Sequence, residues 1–319
     1  MLNTKFMRVA FIVDAFPRVS ETFIIDQACD LIDRGMDIYI YALNRGSKDK
    51  DSISKRYYDY SLEDRTSYLN DGNSKFSRIL SAFPRFLELL FLRPPAIVKL
   101  FSSFKYFKIL SWDVRPFLKN RHDIYHCHFG TVGAQFVMVR KVLGIKEKFI
   151  TSFYGQDASM AIKKYGIGIY KGLMQESSRF FAMSEDMKQR LIVHGFPPDK
   201  IIVHPIGIDV AKYSYTERRA DPGSQINIIS VGRFVEKKGF EDLIRALAVV
   251  KERSITKFKC YIVGDGPLKY KIVSLVKSLG LEDVVELKGF MSIDKILNLF
   301  KNMHFFIQPS KTAKDGDME

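Results

Sequence analysis

The chain has 319 residues, more than one ordinary domain needs and about what two need. A composition of 46% hydrophobic and 27% charged residues excludes a disordered or low-complexity protein. No uninterrupted apolar run approaches the length of about 18 that a spanning helix requires. The formal net charge of +14, from 50 basic and 36 acidic residues, favours an anionic partner: nucleic acid, an acidic membrane or a phosphorylated substrate. Cys29, Cys127 and Cys260 are far apart and lie in apolar contexts. They read as small core residues of a reduced compartment, not as a disulfide frame or a metal site. The first apolar run is short and reads as a strand rather than a secretory signal, so the expected location is cytoplasmic.

Residues 6–13, FMRVAFIV, form a near-continuous apolar run, as expected for a strand covered on both faces. Ser20 is placed to cap a helix with Glu21 in its first turn. Ile24, Ala28, Leu31 and Ile32 recur at helical spacing, and Gly35 is a terminator. Residues 36–43 then read as a second strand, and this β-α-β opening predicts a parallel sheet. Residues 45–74 are polar and turn-rich and carry no assigned element. Strands are predicted over 124–129, 148–155, 178–184 and 199–209, with helices over 131–143 and 185–195. Residues 214–225 are polar and hold a Pro-Gly pair, which marks a linker between a first domain, 1–213, and a second, 226–319. The alternation restarts there, with strands at 226–232, 258–267, 284–290 and 304–310 and helices at 240–252, 267–279 and 292–302. Two successive α/β units predict two Rossmann-like domains with a cleft between them.

Residues 75–121 hold ten basic side chains against Glu88 and Asp113, which is +8 of the +14, with ten aromatic residues interleaved, among them Trp112. Basic residues mixed with Phe and Trp suit an interfacial helix on an anionic leaflet. The alternative is that these helices pack on the sheet with their lysines solvated. No nucleic-acid recognition module is visible, so nucleic acid is not expected as a partner.

Residues 230–247, SVGRFVEKKGFEDLIRAL, run from a buried strand into an amphipathic helix. Open α/β sheets bind ligands at the carboxyl ends of their strands, where Gly232 and Arg233 fall. Gly239 opens the next helix, whose unpaired amides and dipole favour an anion. Arg233 can make a two-pronged contact to phosphate oxygens, and Lys238 adds a point charge. Together these residues read as a diphosphate cradle, and a solvated basic turn is the alternative.

This string resembles the donor-phosphate motif of the family 4 retaining glycosyltransferases of GT-B fold. FPRVSETFI (16–24), HCHFG (126–130), TSFYGQD (151–157), FAMSEDMKQRL (181–191), IIVHPIGID (201–209) and VGDGPL (263–268) fit in the family's order. The likeness is to members that build bacterial exopolysaccharide, colanic-acid-like polymers and O-antigen. It covers nearly the whole chain outside roughly 45–120. The resemblance implies transfer of a sugar from a nucleotide diphosphate sugar, with retention, to a lipid-linked saccharide acceptor, by an enzyme peripheral on the inner face of the cytoplasmic membrane. No metal or other cofactor is implied. Arg233 and Lys238 would stabilise the leaving diphosphate, and Gly232, Gly239, Gly264 and Gly266 would lie along the donor. His128 would help position the donor sugar, with a core histidine as the alternative and His126 as its nearest double on the same strand face. Phe290 would lie near the base or, alternatively, in the core. Ser20, Glu21, Thr22, Tyr154 and Asp157 are assigned to the acceptor side. Tyr154 stands where histidine is commoner, and Ser20 and Thr22 stand in a turn where many relatives carry a glycine pair.

The family's Glu-x7-Glu pair would begin at Glu319, the last residue, so the second domain is expected to lack roughly 60–90 residues and about two strands. Two alternatives accompany this reading: an inactive remnant that binds nucleotide or membrane, and a GT-B nucleotide-sugar epimerase, against which the SETF and GRFVEKKG strings argue.

Overall fold

The computed structural model describes residues 6–49, 53–70, 75–213, 215, 217, 223–254 and 256–318, without the side chains of 75–81, 104–105 and 212. The chain divides into two compact units, Met1–Gly207 and Ile208–Glu319.

In the first unit seven parallel strands pair in the order β3-β2-β1-β4-β5-β6-β7. They are β1 (Arg8–Phe16), β2 (Asp37–Arg45), β3 (Thr66–Tyr68), β4 (Ile124–His128), β5 (Lys148–Phe153), β6 (Arg179–Ala182) and β7 (Ile201–Val203). The continuous apolar run of β1 is explained by its central place, because side chains alternate between two covered faces. Val9, Phe11 and Val13 point to one core with Ile24, Ile25, Ala28 and Cys29 of the helix Thr22–Asp33. Ala10 and Ile12 point to the other, with Phe136, Phe149, Phe153 and Phe180. The strand order reverses at the β1–β4 pair, where Phe11 sits opposite His126 in register. That reversal is where open parallel sheets leave a crevice beyond the strand ends.

The segment left unassigned between 45 and 74 contains a short helix, Lys55–Asp59, and β3. Neither is long enough to carry a period. Residues 75–121 form the helices Lys75–Leu92, Pro94–Phe101 and Arg115–Lys119 and a 3₁₀ segment, Phe104–Ser111. Trp112 is buried at 4% exposure, beside Leu100, Ile109 and Phe117 in the core, so it is a packing residue rather than an interfacial anchor.

The second unit holds β8 (Ile226–Val231), β9 (Phe258–Val263), β10 (Val285–Gly289) and β11 (Phe305–Phe306), in the order β10-β9-β8-β11, all parallel. Its main core gathers Phe234, Phe240, Ile244, Leu247, Cys260 and Ile262. The order reverses again at β8, directly before Gly232. Among the described residues this sheet has four strands, and the edge strand β11 leaves Phe305 and Phe306 exposed.

The first unit's core is packed aromatic on aromatic: Phe180 lies 5.0 Å from Phe196, edge to face, and both are buried. Phe180→Ala is expected to destabilise that unit by about 3–5 kcal/mol, whereas Tyr270→Ala in the exposed second-unit helix Lys269–Ser278 is expected to stay within about 0.5 kcal/mol. Urea unfolding followed by fluorescence compares the two, and equal midpoints would contradict the packing.

Candidate active site

At the carboxyl end of β4, His126 and His128 lie on one strand face with stacked rings, 4.2 Å between centroids. Phe11 closes on both edgewise, at 5.4 and 4.6 Å. The Nε2 of His126 is 2.8 Å from the Ser152 hydroxyl, and the Nδ1 of His128 is 2.8 Å from the Tyr154 hydroxyl. The Nε2 of His128 is buried and has no hydrogen-bond partner among the described residues. Burial drives both imidazoles well below their ordinary pKa, His126 down to about 3; His204 further disfavours charge on His126, and His126 does the same to His128. Both are therefore neutral at physiological pH. Burial likewise raises the Tyr154 hydroxyl, which stays protonated.

The turn after β4 is held from below. Phe129 takes φ 75°, a strained angle for a residue with a side chain, and its N–H donates to Ser152 O at 2.9 Å. Asp157 accepts from Gly130 N at 2.7 Å and from Tyr154 N and Gly155 N at 3.0 Å each. Asp157 is only 3% exposed, and its carboxyl pKa is raised by burial against the pull of those amides. Its place is that of an anchor joining the loop after β5 to the helix Gly130–Leu143, not of a group presented to an acceptor. The spacing of TSFYGQD gives no sign of this, since any Asp near a Gly could be solvated.

Ser20 and Thr22 are exposed. The residue at the cap of the first helix is Glu21, not Ser20, and no side chain caps it. Glu21 instead pairs with Arg18 at 3.0 Å, and Arg18 also pairs with Asp14. Phe23 packs 4.6 Å from the Tyr154 ring, which brings this turn beside the histidine cluster. Sequence reasoning missed the polar chain next to it at the ends of three strands: Asn70 donates to Asn44 at 2.9 Å, and Asn44 to Asp14 at 3.3 Å. Polar residues closing three adjacent strands were the available signal.

In the second unit Gly232, Arg233, Lys238, Gly239, Gly264 and Gly266 lie close together around the turn after β8. Most of the bare backbone, however, serves the protein's own close approach. A Cβ on Gly239, at φ 66°, would lie 1.8 Å from Pro309 O, and one on Gly264, at φ 149°, would lie 1.9 Å from Gly232 O. A Cβ on Gly266 would meet the Phe234 backbone at 2.8 Å. The strand ends are stitched: Gly232 N to Val263 O at 3.0 Å, Phe234 N to Asp265 O at 2.9 Å, Gly264 N to Gly289 O at 2.8 Å. At Gly232 the crowding atoms are the stem of Lys238, 3.3–3.5 Å from a built Cβ, so Lys238 lies across the turn. The first turn of the helix Phe240–Arg253 carries Glu241 and Asp242, which already complement its dipole. Lys311 pairs with Asp242 at 2.6 Å and Lys237 with Asp317 at 3.2 Å. The Arg233 side chain is exposed, and its guanidinium makes no hydrogen bond or ion pair among the described residues. Phe290 follows the stitched Gly289 and is 52% exposed, which rules out the core alternative. Glu319 lies outside the described residues.

The fold is that of a GT-B glycosyltransferase. Residues 20–212 match the family described as Glycosyltransferase Family 4, and residues 215–316 match Glycosyl transferases group 1. The chain belongs to the family 4 glycosyltransferases. It is 30% identical over 322 residues to WcaL of Escherichia coli, a glycosyltransferase named for colanic acid biosynthesis, with 98% of this chain and 78% of that protein covered. A shorter match, 44% over 63 residues (20% of this chain, 16% of the other), is to the N-acetylgalactosamine-N,N'-diacetylbacillosaminyl-diphospho-undecaprenol 4-alpha-N-acetylgalactosaminyltransferase of Campylobacter jejuni. Among solved structures, Anabaena HepE in complex with UDP and glucose superposes with a TM-score of 0.62 at 16% identity, over 97% of this chain and 76% of that one. A UDP-N-acetylglucosamine 2-epimerase also superposes, at 0.51 and 13% identity, over 95% and 74%. The fold therefore does not separate transferase from epimerase; the family matches do, in favour of transferase.

Three buried histidines set a pH dependence. His122, its Nε2 2.8 Å from the Tyr41 hydroxyl, is lowered to about 4 by burial. An unfolded histidine titrates near 6.5, so as pH falls below that value the unfolded chain takes protons that the folded unit refuses. Stability is complete above about pH 6.5 and is lost down to about 4 for His122 and about 3 for His126. Each histidine is expected to remove on the order of 1–2 kcal/mol between pH 7.5 and 5. His122→Gln is expected to flatten that slope by about one proton in urea titrations. Asp157, with its raised pKa, acts in the opposite sense at lower pH in both proteins. An identical slope would show that His122 is not the group involved.

Proposed function

We propose that this chain transfers a sugar from a nucleoside diphosphate sugar to a lipid-linked saccharide in the making of a cell-surface polysaccharide, with retention at the anomeric carbon and at the surface of a membrane. The observation that carries the donor half is Arg233, an exposed guanidinium without a partner among the described residues, at the carboxyl end of β8. Most cations around it have acidic partners. Arg233 has a planar fork of donors and a site fixed by stitched backbone, which suits two diphosphate oxygens. Negative charge grows on the diphosphate as the glycosidic bond breaks, so a cation fixed there acts more strongly on the transition state than on the ground state. Lys238, lying across Gly232, is assigned to the same group, and the exposed ring of Phe290 to the base. HepE, of like fold, is named with UDP and glucose, which supports the donor class.

On the first unit, neutral His128 is assigned to the donor sugar through its Nε2, which has no partner among the described residues, with Nδ1 tied to Tyr154. Ser20 and Thr22 are assigned to the acceptor. The polymer class is supported by WcaL, named for colanic acid biosynthesis, and a diphospho-polyprenol acceptor by the name of the Campylobacter relative. No helix of the described residues is long and apolar enough to cross a membrane, so the attachment proposed is peripheral.

Arg233→Ala tests the donor half. The side chain is exposed, so the melting temperature is expected to hold. Affinity for UDP is expected to fall about 10- to 100-fold, the scale of one charge-assisted hydrogen-bonding group. Calorimetric titration that finds equal affinity in both proteins removes Arg233 from the donor site.

A further inference from the structure

We infer that the outer face of the helices Lys75–Leu92 and Pro94–Phe101 is a docking surface for an anionic lipid leaflet. This rests on the membrane half of the proposed function and names the residues that would hold the protein there. The first helix is apolar on two sides. Its inner row, Ala82, Phe86 and Leu89, packs against the core of the first unit. Its outer row, Phe83, Leu87, Leu90 and Phe91, follows the spacing i, i+4, i+7, i+8 and faces solvent, with Phe83 68% and Phe91 80% exposed. Leu92, Val98 and Phe101 continue the surface across the turn at 60%, 76% and 66%. The two helices form one surface, because Phe101 lies edge to face with Phe86 at 6.3 Å. A surface helix normally turns a polar row outward, and a contiguous apolar face of this kind marks a binding surface.

The charge around the face selects the occupant. Glu88 is the one acidic residue between 75 and 112, and it pairs with Arg115 at 3.5 Å. Arg93 and Lys99 are exposed where the apolar rows meet. Arg93 is fixed in part, its Nε donating to Leu143 O at 3.0 Å. Arg85 is buried and donates to Leu110 O, and Arg115 is paired with Glu88 and Asp113, so among the described residues Arg93 and Lys99 are the cations placed on the face. A second copy of the chain would set this positive charge against itself. An anionic leaflet neutralises it, while the phenylalanines and leucines enter the boundary between headgroups and acyl chains.

Co-sedimentation of the purified full chain with phosphatidylglycerol vesicles and with phosphatidylcholine vesicles tests this, with UDP affinity measured in parallel. Binding is expected to the anionic vesicles and to weaken with salt. Phe83→Ser/Phe91→Ser/Val98→Ser, all at exposed sites, is expected to lower the partition coefficient at least about tenfold. Phe83→Leu/Phe91→Leu/Val98→Leu is expected to keep it, and both triples to keep UDP affinity. A wild-type chain that ignores anionic vesicles, or a serine triple that binds as well as wild type, overturns the inference. So does a dimer in sedimentation velocity that the serine triple abolishes while vesicles go unbound, which would assign the face to a second copy. Vesicle binding without UDP binding would sink the sugar-donor reading and leave this one standing.

Discussion

The parallel pairing of β1 with β4 is the constraint on which the first unit's site depends. It sets Phe11 opposite His126 and leaves both histidines on one face at the strand end. In a parallel ladder a slip of one residue would turn both rings to the opposite face. Register therefore fixes which imidazoles meet Ser152 and Tyr154. On its other side β1 pairs with β2, where Asp14 near the end of β1 accepts from Asn44 of β2, which Asn70 joins just beyond β3. The reversal thus leaves β1 between a polar rim on its β2 side and the buried histidine pair on its β4 side.

The second unit solves a different problem. A turn that offers cations to a ligand has to stay put without relying on that ligand. Here the strand ends bond to one another, and glycine permits it: the carbonyls of Pro309 and Gly232 occupy the space that side chains on Gly239 and Gly264 would need. A turn stitched in this way holds its shape through its own backbone, and under the proposed function that lowers the ordering cost of binding.

Much of this was legible in the sequence. Continuous apolar runs marked the buried parallel strands, and the restart after the Pro-Gly pair marked a second α/β unit. The strand-to-helix motif placed Arg233 and Lys238 together. Other features were not legible, for identifiable reasons. The short helix at 55–59 and the three-residue β3 are too brief to show a period. Trp112 reads as interfacial by composition, yet it lies in the core, because composition does not say which side of an irregular segment faces inward. The glycines read as ligand contacts, since sequence shows that backbone is bare but not what approaches it. Asp157 looked available and is instead consumed by three amides, a fact that exists only once the loop is folded.

The two units differ in how they treat charge, and this bears on what each can contribute. In the first, burial keeps His126 and His128 neutral and Tyr154 protonated. Such a cluster can exchange hydrogen bonds but cannot supply a cation at neutral pH, because placing one there would cost the desolvation that depressed the pKa in the first place. In the second, the guanidinium of Arg233 is exposed to solvent. A reaction that builds negative charge on a departing diphosphate needs the second kind of group at the phosphates and the first kind at the sugar. Under the proposed function the two kinds of group serve different tasks: a fixed cation gains as charge grows on phosphates, and uncharged rings exchange hydrogen bonds with hydroxyls.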